Sequence, residues 1–502
     1  MTAKYVAPLS ELIVDCPNAV VIGDATVLVS GVTHRSVAVA PGDVFLCVTG
    51  QKYNGHRFGA AAVAKGAVAL IVEQPISGVN CAQVVVASVR TVMGNIAARF
   101  YRRPSDRLRV VGVTGTYGKS TTTHLVASIA RSGGVSCGVI GTFGTFVDGR
   151  EVPNGATTPT TPEAVEIQCT LADMADRGVN TVMLEVTAQA LSLARINGTR
   201  FAFSMFTNLA ENDAPWHLDY FKTMPNYFAA KAQLFVPDLS RLAVVNGDDA
   251  YGRRLQQMLK IPVKTFGVSP EADIRMRDLQ LLPEAISMNI DGLQVVSQLR
   301  GAHNAYNCLA AVAAARECGF DDAAIREGLR SIAPLEGRLE PVAHRAGVSV
   351  FIDYAHHPKM FENALQTARA LTAGRLIVVF GCPGGTSAAT RMRMGQIASS
   401  LADLAIITSD DPRGEDPGQI ISQITGGIRG SREYLTNVDR AGALIDALSM
   451  ARPPDVVLIT GNRPRTPAER DPDRRIGWHV DTADWVDDRA VIAGALRQQT
   501  SA

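Results

Sequence analysis

The sequence predicts an α/β protein built on parallel sheets. Three observations carry that prediction. Short apolar runs alternate with helix-length segments along almost the whole chain. The runs are continuous and β-branched, as strands buried on both faces are. One of them also passes through a glycine-rich turn straight into a helix. At 502 residues the chain exceeds what one hydrophobic core fills, so two or three domains are expected.

The strand-like runs fall into three blocks. The first holds Val20–Gly23, Val44–Val48 and Val68–Val72. The second opens at Arg109-Val110-Val111-Gly112-Val113 and continues with Thr181–Val186, Phe203–Asn208 and Leu242–Asn246. The third holds Val348–Asp353, Leu376–Phe380, Leu404–Thr408 and Val456–Thr460. Two polar, proline-containing breaks separate the blocks, Arg102-Arg103-Pro104-Ser105-Asp106 and Pro334-Leu335-Glu336-Gly337-Arg338. They predict three domains, at residues 1–105, 106–336 and 337–502. No internal repeat and no low-complexity tract interrupts this order.

Bulk properties narrow the function. Hydrophobic residues make up 46% and charged residues 19%, ordinary for a soluble globular protein. A formal net charge of +1 offers no broad electrostatic footprint for nucleic acid or an anionic membrane. No apolar run is long enough for a membrane span, and the N-terminal segment lacks the apolar stretch of a signal peptide. The eight cysteines are scattered, with no C-x-x-C pair. They read as reduced thiols in a cytoplasmic protein, without a disulfide framework or zinc site. Oligomeric state is not legible.

The most informative segment is Gly115-Thr116-Tyr117-Gly118-Lys119-Ser120. A strand precedes it, and Thr121–Ala130 reads as helix. Strand, glycine loop, Lys-Ser and helix form the context of a phosphate loop. Glycines let backbone N–H groups turn toward phosphate oxygens, and the helix N-terminus adds partial positive charge. Lys119 would lie near the terminal phosphates, and the Ser120 hydroxyl would ligate Mg²⁺. The spacing G-x-x-G-K-S is shorter than the common G-x-x-x-x-G-K-[ST], so a plain glycine turn is the competing reading. Glu185 ends the run Leu184-Glu185-Val186-Thr187, and carboxylates at strand C-termini lie where α/β ligand crevices form.

With these residues in place, the chain resembles the Mur ligases, the amide ligases of peptidoglycan precursors, most nearly the tripeptide-synthetase branch. The loop is similar to the family's G-T-N-G-K-[ST]. Ser36, then Pro41-Gly42-Asp43-Val44-Phe45 and Gly50-Gln51-Lys52-Tyr53-Asn54-Gly55-His56, resemble its uridine-nucleotide domain. Thr160-Thr161-Pro162-Glu163-Ala164, Phe206-Thr207-Asn208-Leu209, His217-Leu218-Asp219-Tyr220 and Tyr227-Phe228-Ala229-Ala230-Lys231 resemble its central domain. Gly301-Ala302-His303-Asn304 with Asn307, Gly337-Arg338-Leu339-Glu340 and Asp353-Tyr354-Ala355-His356 resemble its ATP motifs.

The resemblance implies an N-terminal UDP-binding α/β domain, a central phosphate-loop ATPase domain with a parallel sheet, and a C-terminal Rossmann-like domain. It implies that ATP phosphorylates the terminal carboxylate of UDP-N-acetylmuramoyl-L-alanyl-D-glutamate and that an amino-acid amine attacks the acyl phosphate. That chemistry belongs to cytoplasmic cell-wall synthesis, and through it to cell shape and division. The implied ATP contacts are Gly115, Thr116, Tyr117, Gly118, Lys119, Ser120, Thr121, Asn304, Arg338 and Asp353. The implied precursor contacts are Ser36, Gln51, Lys52, Tyr53, Thr160, Thr161, Thr187 and Arg195. Lys119, Glu185, His217 and Lys231 are the implied catalytic residues. Mg²⁺ would be held by Ser120, Glu185, His217 and Lys231, the last as a carbamate formed with CO₂; Asp213 is a weaker candidate. By themselves, Lys231 reads as a solvated lysine on a helix Asn226–Leu234 and His217 as a structural histidine.

Several positions depart from the family pattern. Tyr117 stands for the loop asparagine. Glu185-Val186-Thr187-Ala188-Gln189 stands for E-V-S-S-H, and Arg35-Ser36-Val37 for D-S-R. The segment between Leu209 and His217 is longer. The acceptor motifs differ most. Gly384-Gly385-Thr386-Ser387 stands for G-D-R-D, so the carboxylate-binding arginine is Thr386. Asp410-Asp411-Pro412-Arg413 keeps most of D-N-P-R. Gly461-Asn462-Arg463-Pro464-Arg465 stands for G-K-G-H-E, with Arg465 at the acid's place. Asp410, Asp411, Arg413 and Arg465 are thus the acceptor candidates. Reversing a charge in a pocket costs on the order of several kcal/mol toward a cation. The pattern predicts a neutral or acidic amino acid in place of diaminopimelate or lysine. Two other functions stay open: a Mur-like ligase making another amide in a natural-product pathway, and a catalytically weak nucleotide-binding scaffold.

Overall fold

The computed structural model describes residues 5–50, 54–153, 158, 160–210, 220–282, 284–333, 335–345, 347–430, 433–461 and 486–500. The chain divides into two compact units. The first comprises residues 1–209, 228–274 and 310–325, and the second residues 210–227, 275–309 and 326–502. Among the described residues no helix is long and apolar enough to cross a membrane. Most of the cysteines are buried, and all are free thiols.

Among the described residues the first unit holds a two-stranded ribbon, Ala7–Pro8 with Leu28–Val29, and two larger sheets. The five-stranded one runs Val20–Ile22, Ala82–Val85, Ala69–Val72, Asp43–Leu46, Gly31–Thr33. Its first pair is antiparallel and the rest are parallel. Leu9, Val44, Ile71 and Val84 pack there against Ile96 and Phe100 of helix Val89–Phe100.

The larger sheet passes in the order Arg150–Glu151, Gly144–Val147, Cys137–Gly141, Thr181–Glu185, Arg109–Thr114, Phe203–Phe206, Ala243–Asn246, Val263–Gly267. The two strands at the 144–151 edge form an antiparallel hairpin arm, and from Cys137–Gly141 onward the pairings are parallel. Val110, Val111, Val182, Leu184, Met205 and Val244 are buried, as strands covered on both faces require. In register, Leu184 faces Ile140 on one side, and Glu185 faces Val113 on the other. The C-terminal ends of three parallel strands therefore meet at one edge, where α/β proteins bind ligands.

The second unit contains an antiparallel meander of Ile274–Leu281, Ile286–Ile290 and Leu293–Ser297. Its inward residues alternate, with Ile286, Met288, Ile290, Leu293 and Val295 buried. That period-2 pattern is absent from the continuous runs that marked the other strands. The six-stranded sheet of this unit runs Glu340–Arg345, Val348–Asp353, Val456–Thr460, Leu376–Phe380, Leu404–Thr408, Glu433–Asn437. Only its first pair is antiparallel. Alternate strand residues feed two cores. Leu376, Val378 and Phe380 join Phe361, Met394 and Ile424 on one face, whereas Ile377 and Val379 join Leu444, Leu448 and Ile492 on the other.

Candidate active site

The phosphate-loop helix spans Lys119–Ser132, with Gly118 as its N-cap. Two loop residues need glycine. Gly118 has φ +83°, and Gly115, at φ +152°, lies so close to Thr207 that an added Cβ would be 1.9 Å from Thr207 Oγ1. The loop is tied to the end of strand Phe203–Phe206. Thr116 N donates to Asn208 O at 2.9 Å, Tyr117 N to Asn208 Oδ1 at 3.0 Å, and Asn208 Nδ2 to Tyr117 O at 3.1 Å. Thr207 Oγ1 also donates to Tyr117 O at 2.6 Å. The loop is thereby preorganised from outside itself, and the substitution of tyrosine at 117 uses backbone groups that any residue supplies.

Two lysine side chains converge on this loop. Lys119 Nζ donates to Gly115 O and Thr116 O, each at 3.0 Å. Lys231 Nζ donates to Gly115 O at 2.8 Å. Lys231 lies on helix Met224–Ala232 and is 1% exposed, so it is not the solvated helix-face lysine that sequence alone suggests. Burial first, and the Lys119 charge second, hold its amine well below the usual lysine pKa.

Glu185 is fully buried at the end of its strand. Its Oε2 accepts from Ser120 Oγ at 2.9 Å and from Thr142 Oγ1 at 3.0 Å, and its Oε1 accepts from Thr142 N at 2.9 Å. Ser120, one residue into the loop helix, is buried with it. A divalent cation of the Mg²⁺ type takes hard oxygen donors. The Ser120 hydroxyl and the Glu185 carboxylate come from separate elements and meet beside the phosphate loop, so this donor set fits such an ion. No cluster of three or more His, Cys, Asp or Glu gathers among the described residues. The acids and histidines described here do not complete a cation site alone.

The Thr160–Glu163 turn packs beside Glu185. Thr160 adopts φ +63°, and its hydroxyl lies 3.1 Å from that of Thr142. Thr161 Oγ1 donates to Glu185 O at 2.9 Å and accepts from Thr187 N at 3.1 Å. Arg195, expected to face a precursor carboxylate, is buried. It pairs with Glu163 at 3.0 Å and donates to Thr161 O at 3.1 Å. Glu163 also pairs with Arg90 of the N-terminal region at 3.1 Å. Ser36 sits half-buried in a turn, its carbonyl accepting from Lys65 Nζ at 2.7 Å. Gln51, Lys52, Tyr53, Asp213, His217 and Arg465 lie outside the described residues.

The remaining candidates belong to the second unit. Asp353, at the end of strand Val348–Asp353, accepts from Leu339 N and Ala355 N, each at 2.8 Å. Burial pushes its pKa up, against the nearby Arg338 charge and those two N–H groups. The Arg338 guanidinium lies 5.9 Å from the Tyr354 ring centroid. Asn304 is buried near the start of helix Ala302–Cys318, bonded to Arg300 O and Asn307. The acceptor motifs also meet: Gly384 N donates to Asp411 O at 2.7 Å, and Asp411 pairs with Arg413 at 2.9 Å. Thr386 is half-exposed in this turn.

Thr142 and the Asn208 side chain are the site residues that sequence reasoning did not assign a role. Asn208 stood inside a quoted motif. Thr142 stood in none, and only the adjacency of strands Cys137–Gly141 and Thr181–Glu185 brings it to the carboxylate.

Comparison with known proteins bears on the whole chain. Residues 28–101 match the model "Mur ligase family, catalytic domain", 113–315 "Mur ligase middle domain" and 337–463 "Mur ligase, glutamate ligase domain". A protein of Geobacillus thermodenitrificans named UDP-N-acetylmuramoyl-L-alanyl-D-glutamate--2,6-diaminopimelate ligase is 38% identical over 473 residues, covering 92% of this chain and 93% of the relative. One of the same name from Aquifex aeolicus is 37% identical over 435 residues, covering 86% and 88%. A solved structure of a ligase of that name superposes with TM-score 0.69 at 26% identity over 99% of both chains. MurF from Acinetobacter baumannii, at 20% identity and TM-score 0.67 over 92% and 97%, shares the fold.

Proposed function

The chain belongs to the Mur ligase family, and from that premise we propose that it joins an amino acid to UDP-N-acetylmuramoyl-L-alanyl-D-glutamate, using ATP to activate the D-glutamyl side as an acyl phosphate. The observation that carries the proposal is the Ser120–Glu185 contact at 2.9 Å, set at the head of the phosphate-loop helix with Lys231 buried against Gly115. The reaction consumes ATP and a nucleotide precursor, so a cytoplasmic setting is part of the same proposal.

The residues divide the work by chemistry. A carboxylate is a poor electrophile, and phosphorylation gives it a leaving group. Phosphoryl transfer then depends on alignment and on neutralising charge. The loop N–H groups and the helix N-terminus at Lys119 receive the phosphates. The Lys119 ammonium, held at Gly115 O and Thr116 O, is placed to exchange those carbonyls for phosphate oxygens. Ser120 and Glu185 would hold Mg²⁺, which supplies positive charge for the transferring phosphoryl group. The depressed pKa of Lys231 favours the neutral amine, the form that adds to CO₂. In that addition nitrogen bonds to the CO₂ carbon and a proton leaves to solvent. The product is a carbamate anion, a further oxygen donor in place of a cation. Thr160, Thr161 and Thr187 form the hydroxyl-lined turn proposed to receive the muramoyl-peptide.

The acceptor amino acid is proposed to be neutral or acidic. Diaminopimelate carries a distal carboxylate and ammonium, and Thr386 offers no guanidinium for the former. Arg465, standing where the family pattern has an acid, disfavours the distal ammonium. The test is release of ADP by the purified protein supplied with ATP, Mg²⁺, the UDP-dipeptide and a panel of amino acids. Turnover that needs all three substrates supports the ligase reading, and silence with this precursor and every amino acid overturns it. Diaminopimelate used as well as any other acceptor overturns the acceptor proposal alone.

A further inference from the structure

Thr142 contributes two groups to one carboxylate. Its N–H donates to Glu185 Oε1 at 2.9 Å and its hydroxyl to Oε2 at 3.0 Å. Each oxygen of Glu185 is therefore held by the same residue, which fixes both the position and the plane of the carboxylate. The register explains how. Cys137–Gly141 and Thr181–Glu185 are adjacent parallel strands that end together, so the first residue past one strand caps the last residue of the other. Gly141 makes room: a Cβ there would lie 2.1 Å from Glu185 Oε1.

The hydroxyl also has a defined direction. A threonine hydroxyl has one proton and can accept as well. Glu185 as a carboxylate only accepts, so Thr142 Oγ1 spends its proton there. The 3.1 Å contact with Thr160 must then run from Thr160 Oγ1 to Thr142 Oγ1. Thr160 is held at φ +63°, a region costly for a β-branched residue and kept only where surroundings enforce it. The Thr160 turn is thereby linked through one hydroxyl to the carboxylate facing Ser120.

We propose that Thr142 is a positioning residue that presets the Glu185 carboxylate for the divalent cation and ties it to the Thr160 turn. The proposal rests on the reading of Ser120 and Glu185 as cation ligands. Groups that orient a metal ligand typically account for roughly 10- to 100-fold in metal affinity.

The test measures Mn²⁺ binding to the full-length protein in the presence of ADP, by calorimetry, for wild type, Thr142→Val, Thr142→Ser and Glu185→Gln. Valine keeps the shape and the backbone N–H and removes only the hydroxyl. Thr142→Val is expected to bind Mn²⁺ roughly 10-fold more weakly, with an unchanged circular-dichroism spectrum. Thr142→Ser is expected to recover most of the affinity, because the donor returns. In turnover, Thr142→Val is expected to lower kcat and raise the Mg²⁺ requirement while leaving KM for the amino acid unchanged. Wild-type affinity in Thr142→Val, with Glu185→Gln weakened, overturns the role of Thr142 alone. Equal Mn²⁺ binding by wild type and Glu185→Gln overturns the cation reading and this proposal with it. Should the valine variant not fold, the serine variant decides: affinity well below wild type despite its hydroxyl overturns the proposal.

Discussion

Two acids, Glu185 fully buried and Asp410 half-buried, occupy comparable places in the two units, and their surroundings differ. Glu185 ends a parallel strand of the first unit; Asp410 lies two residues beyond the parallel strand Leu404–Thr408 of the second. Three donors from Ser120 and Thr142 meet Glu185. Asp410 has a buried arginine nearby, Arg440, but that guanidinium is committed to Asp488 at 2.7 Å. Burial foremost, with Asp411 and Asp488 adding like charge against the pull of Arg440, pushes the Asp410 pKa up to about 6. Burial alone disfavours a carboxylate; the donors decide whether the charge is nonetheless accommodated. Glu185 is held by three hydrogen-bond donors, whereas Asp410 shares its described surroundings with two further acids and with an arginine committed to one of them.

The largest effect is expected from breaking the first environment. Glu185→Gln should lower kcat by roughly 10²- to 10³-fold, the scale for losing one preorganised electrostatic group. Gly141→Ala should approach that loss with the carboxylate still present, because the added Cβ would displace Oε1. Steady-state ADP release checks both, and near-wild-type turnover of Gly141→Ala would show that the cradle has slack.

Lys231→Met sharpens the contrast between charge and function. Ligation should be lost, while stability in CO₂-depleted buffer should rise at neutral pH. The sign follows from proton binding. A lysine with a depressed folded pKa binds fewer protons folded than unfolded, so stability rises with pH between that value and 10.5 and is lost below it. Methionine removes this slope. Thermal melts across pH 6 to 10 in wild type and variant should diverge most at the acid end; parallel curves would mean that Lys231 is not held neutral.

The smallest effect on turnover, and the clearest on stability, is expected at Asp410. Its folded pKa of about 6 exceeds the ordinary 3.8, so the folded state keeps a proton that the unfolded state loses in that window. Stability therefore falls as pH rises from about 4 to 6 and stays lower above. Asp410→Asn should stabilise the protein by roughly 1–3 kcal/mol at pH 8 and by little at pH 4. Denaturant unfolding at the two pH values checks this, and equal gains at both would refute it.

The phosphate loop was legible because its chemistry is local: glycines, lysine, serine and helix follow one another along the chain. Glu185 was legible as the end of an apolar run, and the α/β class from the runs themselves. The meander Ile274–Ser297 escaped because it alternates and lacks the continuous apolar run used to find the others. Arg195 was legible as a cation, but not its pairing with Glu163. The spacing of Thr142 and Glu185 carries no signal.

The sequence by itself therefore determined the fold class, the family and the chemistry available at the loop, since these depend on residue type and local order. Only the tertiary structure decided that Lys231 is buried and that Thr142 and Gly141 shape the Glu185 carboxylate. It also decided that the Arg440 guanidinium near Asp410 is committed to Asp488. Burial, strand register and partner choice arise from pairing distant segments, and a pKa or a ligand's orientation depends on all three.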